Sequence, residues 1–257
     1  MERRNSSRDA AVASGTGVVG VRRTEKLSEV IAREIVRDLR DLPPATMLPS
    51  EAIMLEKYRT GRASLREALR LLEVQGLIVI RPGPGGGPMV AQVDSQHYGR
   101  VSTLYYHMLG VEYQNVVDAR LVMEPVVVKI AAERQDPDDI LKLKEFVARM
   151  KAGPDADHDR YVRDATGFHA MLAGMSGNPV LTLSCRSLQE IYHDRVHGLF
   201  PAEEQIRVER DHVTIAQAII KGDATRAERL MRQHMQEYVD YSKLRYPGLL
   251  EETVDWH

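Results

Sequence analysis

The chain has 257 residues, 43% of them apolar and 28% charged, a composition typical of a soluble globular protein long enough for two domains. Its single cysteine, Cys185, excludes an internal disulfide, and no apolar run approaches the length of a membrane span, so we expect a cytoplasmic protein without a membrane partner. The net charge of −2 divides into +4 over residues 1–92 and −6 over residues 93–257, which favours a first domain that faces nucleic acid.

The N-terminal part of the chain predicts a tail followed by two helices. Residues 1–23 are rich in Arg, Ser and Gly and contain no apolar stretch, so they are predicted to form a disordered tail and not a secretory signal. A helix is predicted from Glu25 to about Leu39, with Thr24 as its N-cap and apolar residues at helical spacing. A pair of prolines ends it, and a second helix is predicted to begin after Ser50.

The most informative segment runs from Ser64 to Pro88. Its first part has apolar residues at helical spacing, with Ser64 and Glu67 placed as a capping box, so a helix is predicted to begin at Ser64. A β-branched strand over Leu77–Ile80, a Pro/Gly-rich run and a strand over Met89–Val93 predict a small hairpin. A helix that presents arginines, followed by a hairpin, is the arrangement with which a winged helix-turn-helix reads DNA.

The order of these motifs resembles the GntR family of bacterial transcription regulators. The similarity rests on Leu48-Pro49-Ser50-Glu51, on the arginine-bearing segment from Arg62 to Gly76 and on the wing after it, and it covers a winged helix-turn-helix domain at residues 24–93. Ala52 and Gly61 depart from residues common in the family, so the operator is expected to differ from a typical one. The resemblance implies DNA contacts, to bases, phosphates or the minor groove, by Arg62, Ser64, Arg66, Gly85, Gly86 and Gly87.

After Val93 the sequence changes to long helical segments. Six or seven helices are predicted, and they favour an all-helical bundle over residues 94–245 with room for a central cavity, followed by a C-terminal tail at 246–257. The expected fold class is therefore mainly α, with an N-terminal winged helix-turn-helix and a C-terminal helical bundle. The segments begin near Gln96, Tyr113, Pro137, Arg160, Pro179, Ala202 and Asp223.

This second part is similar to the FCD effector domain of the FadR subgroup of the same family. The similarity rests on Asp118-Ala119-Arg120, Phe168-His169, Asp211-His212 and His234. It implies that the three histidines of these segments hold a divalent transition metal, zinc or nickel, with open coordination positions for a small carboxylate. The alternative is that these histidines are structural groups hydrogen-bonded inside the bundle.

The fourth ligand of the predicted metal site is open. The family has an aspartate four residues before the first histidine, where this chain has Ala165. Asp164 is the nearest substitute, but it lies five residues before His169, and on a regular helix that spacing turns it away. A π-bulge near Gly167 would realign the two, so Asp164 is kept as a candidate ligand.

A carboxylate effector also needs cations. The candidates on the predicted helices are Arg120, Arg186 and Arg195. Arg120 has an alternative role, because Glu124 stands at i+4 and the two can form a structural ion pair.

Together the motifs predict a sequence-specific DNA-binding transcription regulator and not an enzyme. We expect a homodimer that binds a palindromic operator, with repression as the predicted sign and a small organic acid as the effector. One alternative is a metal-dependent hydrolase or lyase built on the histidines, which is disfavoured because no general acid and base can be identified beside them. Another is an architectural DNA-binding protein without a ligand.

Overall fold

A computed structural model describes residues 25–152, 158–196 and 202–256 of the protein. The described chain divides into two compact units. One contains the residues up to Val74 together with Ile80–Val90, and the other contains Gln75–Val79 and the chain from Ala91 onward. Within the described residues, no helix combines the length and the apolarity that crossing a membrane requires.

The winged helix-turn-helix consists of helices and one hairpin. Helices α1 and α3 pack against each other, and the side chains between them are almost completely buried because their apolar residues recur at helical spacing: Ile31, Ile35, Leu65 and Leu72 are 0 to 2% exposed. The predicted fold class of this part is confirmed. Its elements are α1 (Leu27–Leu39), α2 (Glu51–Lys57), α3 (Arg62–Val74), β1 (Ile78–Arg81) and β2 (Gly87–Val90).

Helix α3 begins before the predicted capping box. The Leu65 N–H donates to the Gly61 carbonyl at 3.1 Å, so Gly61 occupies the N-cap position and Ser64 lies inside the first turn. Glu67 contacts Lys26 at 3.7 Å. The prediction that Ser64 caps this helix was wrong because glycine is also accepted at an N-cap, so the helix could start one turn earlier than the Ser/Glu spacing indicated.

The other two helix starts of this domain were predicted with mixed success. Ser50 precedes α2, as predicted, although its side chain makes no capping hydrogen bond. Helix α1 begins at Leu27, after Lys26, and no side chain caps it. Thr24, the predicted cap, lies outside the described residues, as does the predicted tail at 1–23.

The wing turns over a glycine that no other residue can replace without movement of the backbone. A Cβ at Gly86 would lie 2.2 Å from the carbonyl oxygen of Arg81 and 2.9 Å from that of Gly83. The Gly86 N–H also donates to the Gly83 carbonyl at 2.9 Å, which closes the turn. The side chain is therefore excluded by the close approach of backbone to backbone.

Gly86→Ala is expected to displace the tip of the wing. Relieving the contact with the Arg81 carbonyl should cost about 1–3 kcal/mol, and DNA affinity should fall while helical content is unchanged. Gly167→Ala in α7 is the control, because a Cβ there meets nothing within 4 Å and the residue lies outside the winged helix-turn-helix. Fluorescence anisotropy with operator DNA measures the difference, and equal affinities for the two variants would show that DNA binding does not depend on this turn.

The second unit is a helical bundle built around α5. Its helices begin within two residues of their predicted starts, and α5 contacts α7, α8, α9 and α10. The elements are α4 (Ser95–Met108), α5 (Tyr113–Arg134), α6 (Pro137–Ala152), α7 (His158–Met175), α8 (Pro179–Val196), α9 (Ala202–Ile220) and α10 (Ala224–Arg245).

The segment after α10 packs onto this bundle and does not extend as the predicted tail. A short 3₁₀ helix spans Leu249–Glu251, and Leu249, Leu250 and Val254 are 6, 4 and 0% exposed. The Val254 N–H donates to the carbonyl of Val111 at 2.8 Å. The sequence missed this contact because so short a segment has no periodicity that distinguishes packing from solvent exposure.

Candidate functional site

Three histidines from different helices meet inside the bundle. His169 on α7, His212 on α9 and His234 on α10 each offer one nitrogen, and these nitrogens all lie within 4.8 Å of one another. The Nε2 atoms of His212 and His234 are 3.3 Å apart, and the two side chains are 2% and 3% exposed. The structure thus brings together the three histidines that the sequence singled out, and we call them the histidine cluster.

Aromatic packing fixes the position of one imidazole in the cluster. The ring of His212 stacks on Phe168 with 4.2 Å between ring centroids, and Phe168 stacks in turn on Phe146 of α6 at 4.9 Å. Since consecutive residues on a helix are turned by about 100° from each other, Phe168 can serve the core while His169 faces a different neighbour.

Carboxylates hold two of the three imidazoles at their outer nitrogens. His169 Nδ1 is in close contact with Glu124 Oε2, and His234 Nδ1 is 3.3 Å from Asp211 Oδ2. An ionised carboxylate only accepts hydrogen bonds, so both Nδ1 atoms are assigned the proton and both Nε2 atoms keep a lone pair. This arrangement is the one by which carboxylates orient histidine ligands in metal sites.

Burial lowers the pKa of two imidazoles of the cluster. Burial, together with the neighbouring imidazoles, lowers the pKa of His212 well below its usual value. Burial also lowers the pKa of His234, although its hydrogen bond to Asp211 opposes this. Both rings are therefore neutral at pH 7, which is the protonation state that a metal ligand requires.

Glu124 joins the cluster to a buried arginine. Arg120 Nε donates to Glu124 Oε1 at 2.6 Å, and both residues are 5% exposed. Burial disfavours the carboxylate, but Arg120 and His169 outweigh burial and lower the pKa of Glu124 to about 2. The guanidinium also lies 5.5 Å from the ring centroid of Tyr192. Arg120 therefore forms the ion pair that was the alternative to effector binding, beside the cluster.

The other candidate effector arginines make different contacts. Arg186 Nε donates to the Ala170 carbonyl of α7 at 2.8 Å. Arg195 Nη2 lies 2.5 Å from Glu252 Oε2 in the C-terminal segment. Their roles toward an effector stay predictions.

The proposed local bulge in α7 is absent. The helix is α-helical over its whole length from His158 to Met175, so the predicted π-bulge near Gly167 was wrong. The side chain of Asp164 lies outside the described residues. Its role as a ligand stays a prediction.

An acidic pocket opens beside the cluster between α9 and α10. Its polar lining includes Asp211, Glu237 and His234, and both carboxylates pair with Arg207, whose Nη1 lies 3.4 Å from Asp211 Oδ2 and 2.7 Å from Glu237 Oε2. Thr214, Ile215, Leu230 and Gln233 complete the lining.

The sequence did not reveal the carboxylate partners of the histidines. Asp211 lies next to His212 in the chain but contacts His234, and Glu124 was recognised only as a partner of Arg120. The contact between Asp211 and His234 joins α9 to α10, and the contact between Glu124 and His169 joins α5 to α7. The spacing of residues within one helix could therefore not have indicated either of them. The one available signal was the presence of acidic residues on otherwise buried helix faces.

The candidate DNA-contact residues of the first unit lie in two places: Arg62, Ser64 and Arg66 near the start of α3, and Gly85, Gly86 and Gly87 in the wing at the start of β2. Arg62 and Arg66 are exposed and one helical turn apart, so they share a face, and Ser64 is half-buried. Arg66 pairs with Glu51 of α2, Nε to Oε1 at 3.2 Å, with the arginine side chain 70% exposed. An ion pair this exposed contributes little to the stability of the fold. A phosphate or a base can therefore replace Glu51 as the partner of Arg66.

Comparison with known proteins divides the chain in the same way. Residues 27–86 match the family described as bacterial regulatory proteins, gntR family, and residues 115–237 match the FCD domain. The chain is 26% identical over 223 residues to the HTH-type transcriptional repressor NanR of Edwardsiella tarda, covering 82% of this chain and 83% of that protein. It is 28% identical over 198 residues to the Uxu operon regulator of Haemophilus influenzae, covering 74% and 71%.

A solved structure shows the same fold. Streptococcus agalactiae GntR superimposes with a TM-score of 0.58 at 22% sequence identity, over 82% of this chain and 98% of that one. This chain therefore shares its fold with Streptococcus agalactiae GntR.

Proposed function

Because this chain belongs to the GntR family of bacterial transcription regulators and carries an FCD domain, we propose that it represses transcription from a palindromic operator and responds to a small carboxylate. The histidine cluster carries the proposal for the effector: three converging imidazoles, two of them held by carboxylates and two neutral through burial. The matched proteins are regulators, so they give no support to the alternative of a metal-dependent enzyme.

His169, His212 and His234 have the properties of a site for zinc or nickel. Imidazole is a ligand that both ions accept, and the spread of the three nitrogens, within 4.8 Å, suits a single ion. When bound, the ion would supply a buried positive charge with open positions for a carboxylate oxygen. Glu124 and Asp211 would keep the ligand rings oriented.

Arg120 is the proposed second cation for the effector. It is buried, and through Glu124 it belongs to one hydrogen-bonded chain with His169. A carboxylate drawn to Arg120 would compete with Glu124 and so change the environment of His169. Binding of the effector and binding of DNA would then be linked, each changing the affinity for the other. Arg186, Arg195 and Asp164 are secondary candidates.

The proposed active form is a homodimer. Regulators of this family usually bind their operators as dimers, and two recognition helices read two half-sites about one DNA turn apart. Helix α4 exposes Tyr105 and Met108 by 64% and 78%, and Leu109 after it by 77%, an apolar surface that a second copy would cover. A regulator that acts on chromosomal DNA would work in the cytoplasm.

DNA binding is tested with the fragment upstream of the protein's own gene. Arg62→Ala and Arg66→Ala are each expected to lose about 1–3 kcal/mol of binding free energy to this fragment, as for an arginine that contacts a base. Arg37→Ala, an exposed arginine of α1, is the control of equal charge and should bind as the wild type does. Fluorescence anisotropy against a scrambled fragment of the same length gives both affinities.

Two outcomes would contradict the proposal at different points. Equal affinity of the wild type for both fragments at moderate salt would contradict sequence-specific binding. Selective DNA binding that no carboxylic acid alters, with zinc or nickel present, would leave the regulator intact and contradict control by a carboxylate.

A further inference from the structure

One histidine of the cluster lacks the carboxylate that the other two have. The Nδ1 atom of His212 is buried and has no hydrogen-bond partner among the described residues. Three residues earlier on α9, Oε2 of Glu209 is also buried, and it too has no hydrogen-bond partner among the described residues. Glu209 is 7% exposed, so water does not readily satisfy this oxygen. Two buried polar atoms without partners among the described residues thus lie one turn apart on the same helix.

Helix geometry brings these two side chains to each other. Residues three apart on a helix have their Cβ atoms about 5–6 Å apart. Side chains lean toward the helix N-terminus, so the ring of His212 covers the turn that carries Glu209. The distance is within reach of a glutamate, directly or across a single buried water.

We propose that Glu209 accepts a hydrogen bond from Nδ1 of His212 and is the positioning residue for this third imidazole. The inference rests on the metal site of the proposed function. With Nδ1 protonated, His212 presents its Nε2 lone pair to the ion, as His169 and His234 do. Each histidine then has its own carboxylate, Glu124, Glu209 or Asp211, and the negative charge of Glu209 is compensated by the ion.

The test compares Glu209→Gln with the wild type in the full chain. The amide keeps the shape of the side chain but removes its charge and weakens it as an acceptor. Zn²⁺ affinity, measured by competition with a chelating dye, is expected to fall about 10- to 100-fold. The Co²⁺ absorption spectrum of the loaded variant should keep its wild-type shape, because a positioning residue does not change the set of ligands. Glu228→Gln removes a carboxylate elsewhere in the bundle, on α10, and should match the wild type.

The possible outcomes separate this inference from the proposed function. Equal Zn²⁺ affinity in Glu209→Gln and the wild type would overturn the inference alone. A changed Co²⁺ spectrum would also overturn it, since Glu209 would then be a ligand. A wild type that binds no Zn²⁺ would overturn the metal site of the proposed function.

The hydrogen bond has a second readout in the zinc-loaded protein. Nitrogen-15 NMR follows the Nδ1 proton of His212 in the wild type and in Glu209→Gln. A slowly exchanging Nδ1 proton whose chemical shift changes in the variant is expected, and an identical signal in the two proteins would overturn the inference.

Discussion

Arg120→Met is expected to lower the free energy of unfolding by about 3–5 kcal/mol, because it leaves the carboxylate of Glu124 buried without its main cation. In the wild type the two side chains are 6% and 7% exposed and their charged atoms are 2.6 Å apart. His169 contacts Oε2 of Glu124, so the loss of Arg120 leaves Oε1 without its partner. Urea denaturation followed by circular dichroism measures the loss.

Two further variants identify the cause of this loss. Arg120→Met combined with Glu124→Gln removes the buried charge, so it should recover part of the stability. Arg232→Met breaks an ion pair with the same four-residue spacing, but the Arg232 side chain is 55% exposed, so the loss should be much smaller. If Arg120→Met costs no more than Arg232→Met, the buried pair does not stabilise the fold, and Arg120 is free to serve an effector.

The sequence predicted the helices well because their apolar periodicity is long. Helix α5 illustrates this, since its predicted start at Tyr113 is the observed one. The start of α3 was missed, because the Ser64 and Glu67 pair and Gly61 are both acceptable helix starts and only the backbone decides between them. Periodicity therefore determines which elements exist more reliably than it determines where they begin.

The sequence indicates the histidines of the cluster more clearly than it indicates the carboxylates that contact them. The motifs around His169, His212 and His234 were enough to select the cluster that the structure brings together. The motifs did not indicate which carboxylate contacts which histidine. Asp211 and His212 are neighbours in the chain, yet adjacent residues on a helix point about 100° apart, so Asp211 contacts His234 on α10. Such pairs depend on how helices pack, which no spacing within one helix records.

His212→Phe is expected to abolish the stabilisation of the protein by zinc while leaving the metal-free fold intact. Phenylalanine has a similar volume and can keep the stacking on Phe168, which is 4.2 Å from the His212 ring. It also removes the buried Nδ1 that has no partner among the described residues, so the metal-free protein should be as stable as the wild type or more so. Zinc at 100 times its Kd should stabilise the wild type by about 2.7 kcal/mol and the variant not at all.

The same variant decides between a ligand and a structural histidine. A histidine retained for the stability of the core would be costly to replace, and zinc would have the same effect with and without it. A histidine retained as a ligand gives the opposite pair of results, since its burial and its unsatisfied nitrogen are costs that only the bound ion offsets. Thermal melts with and without zinc measure both quantities on one sample, and His107→Phe, at an exposed histidine of α4, shows the effect of losing an imidazole elsewhere. Loss of the zinc response together with retained stability is the combination that only a metal site explains.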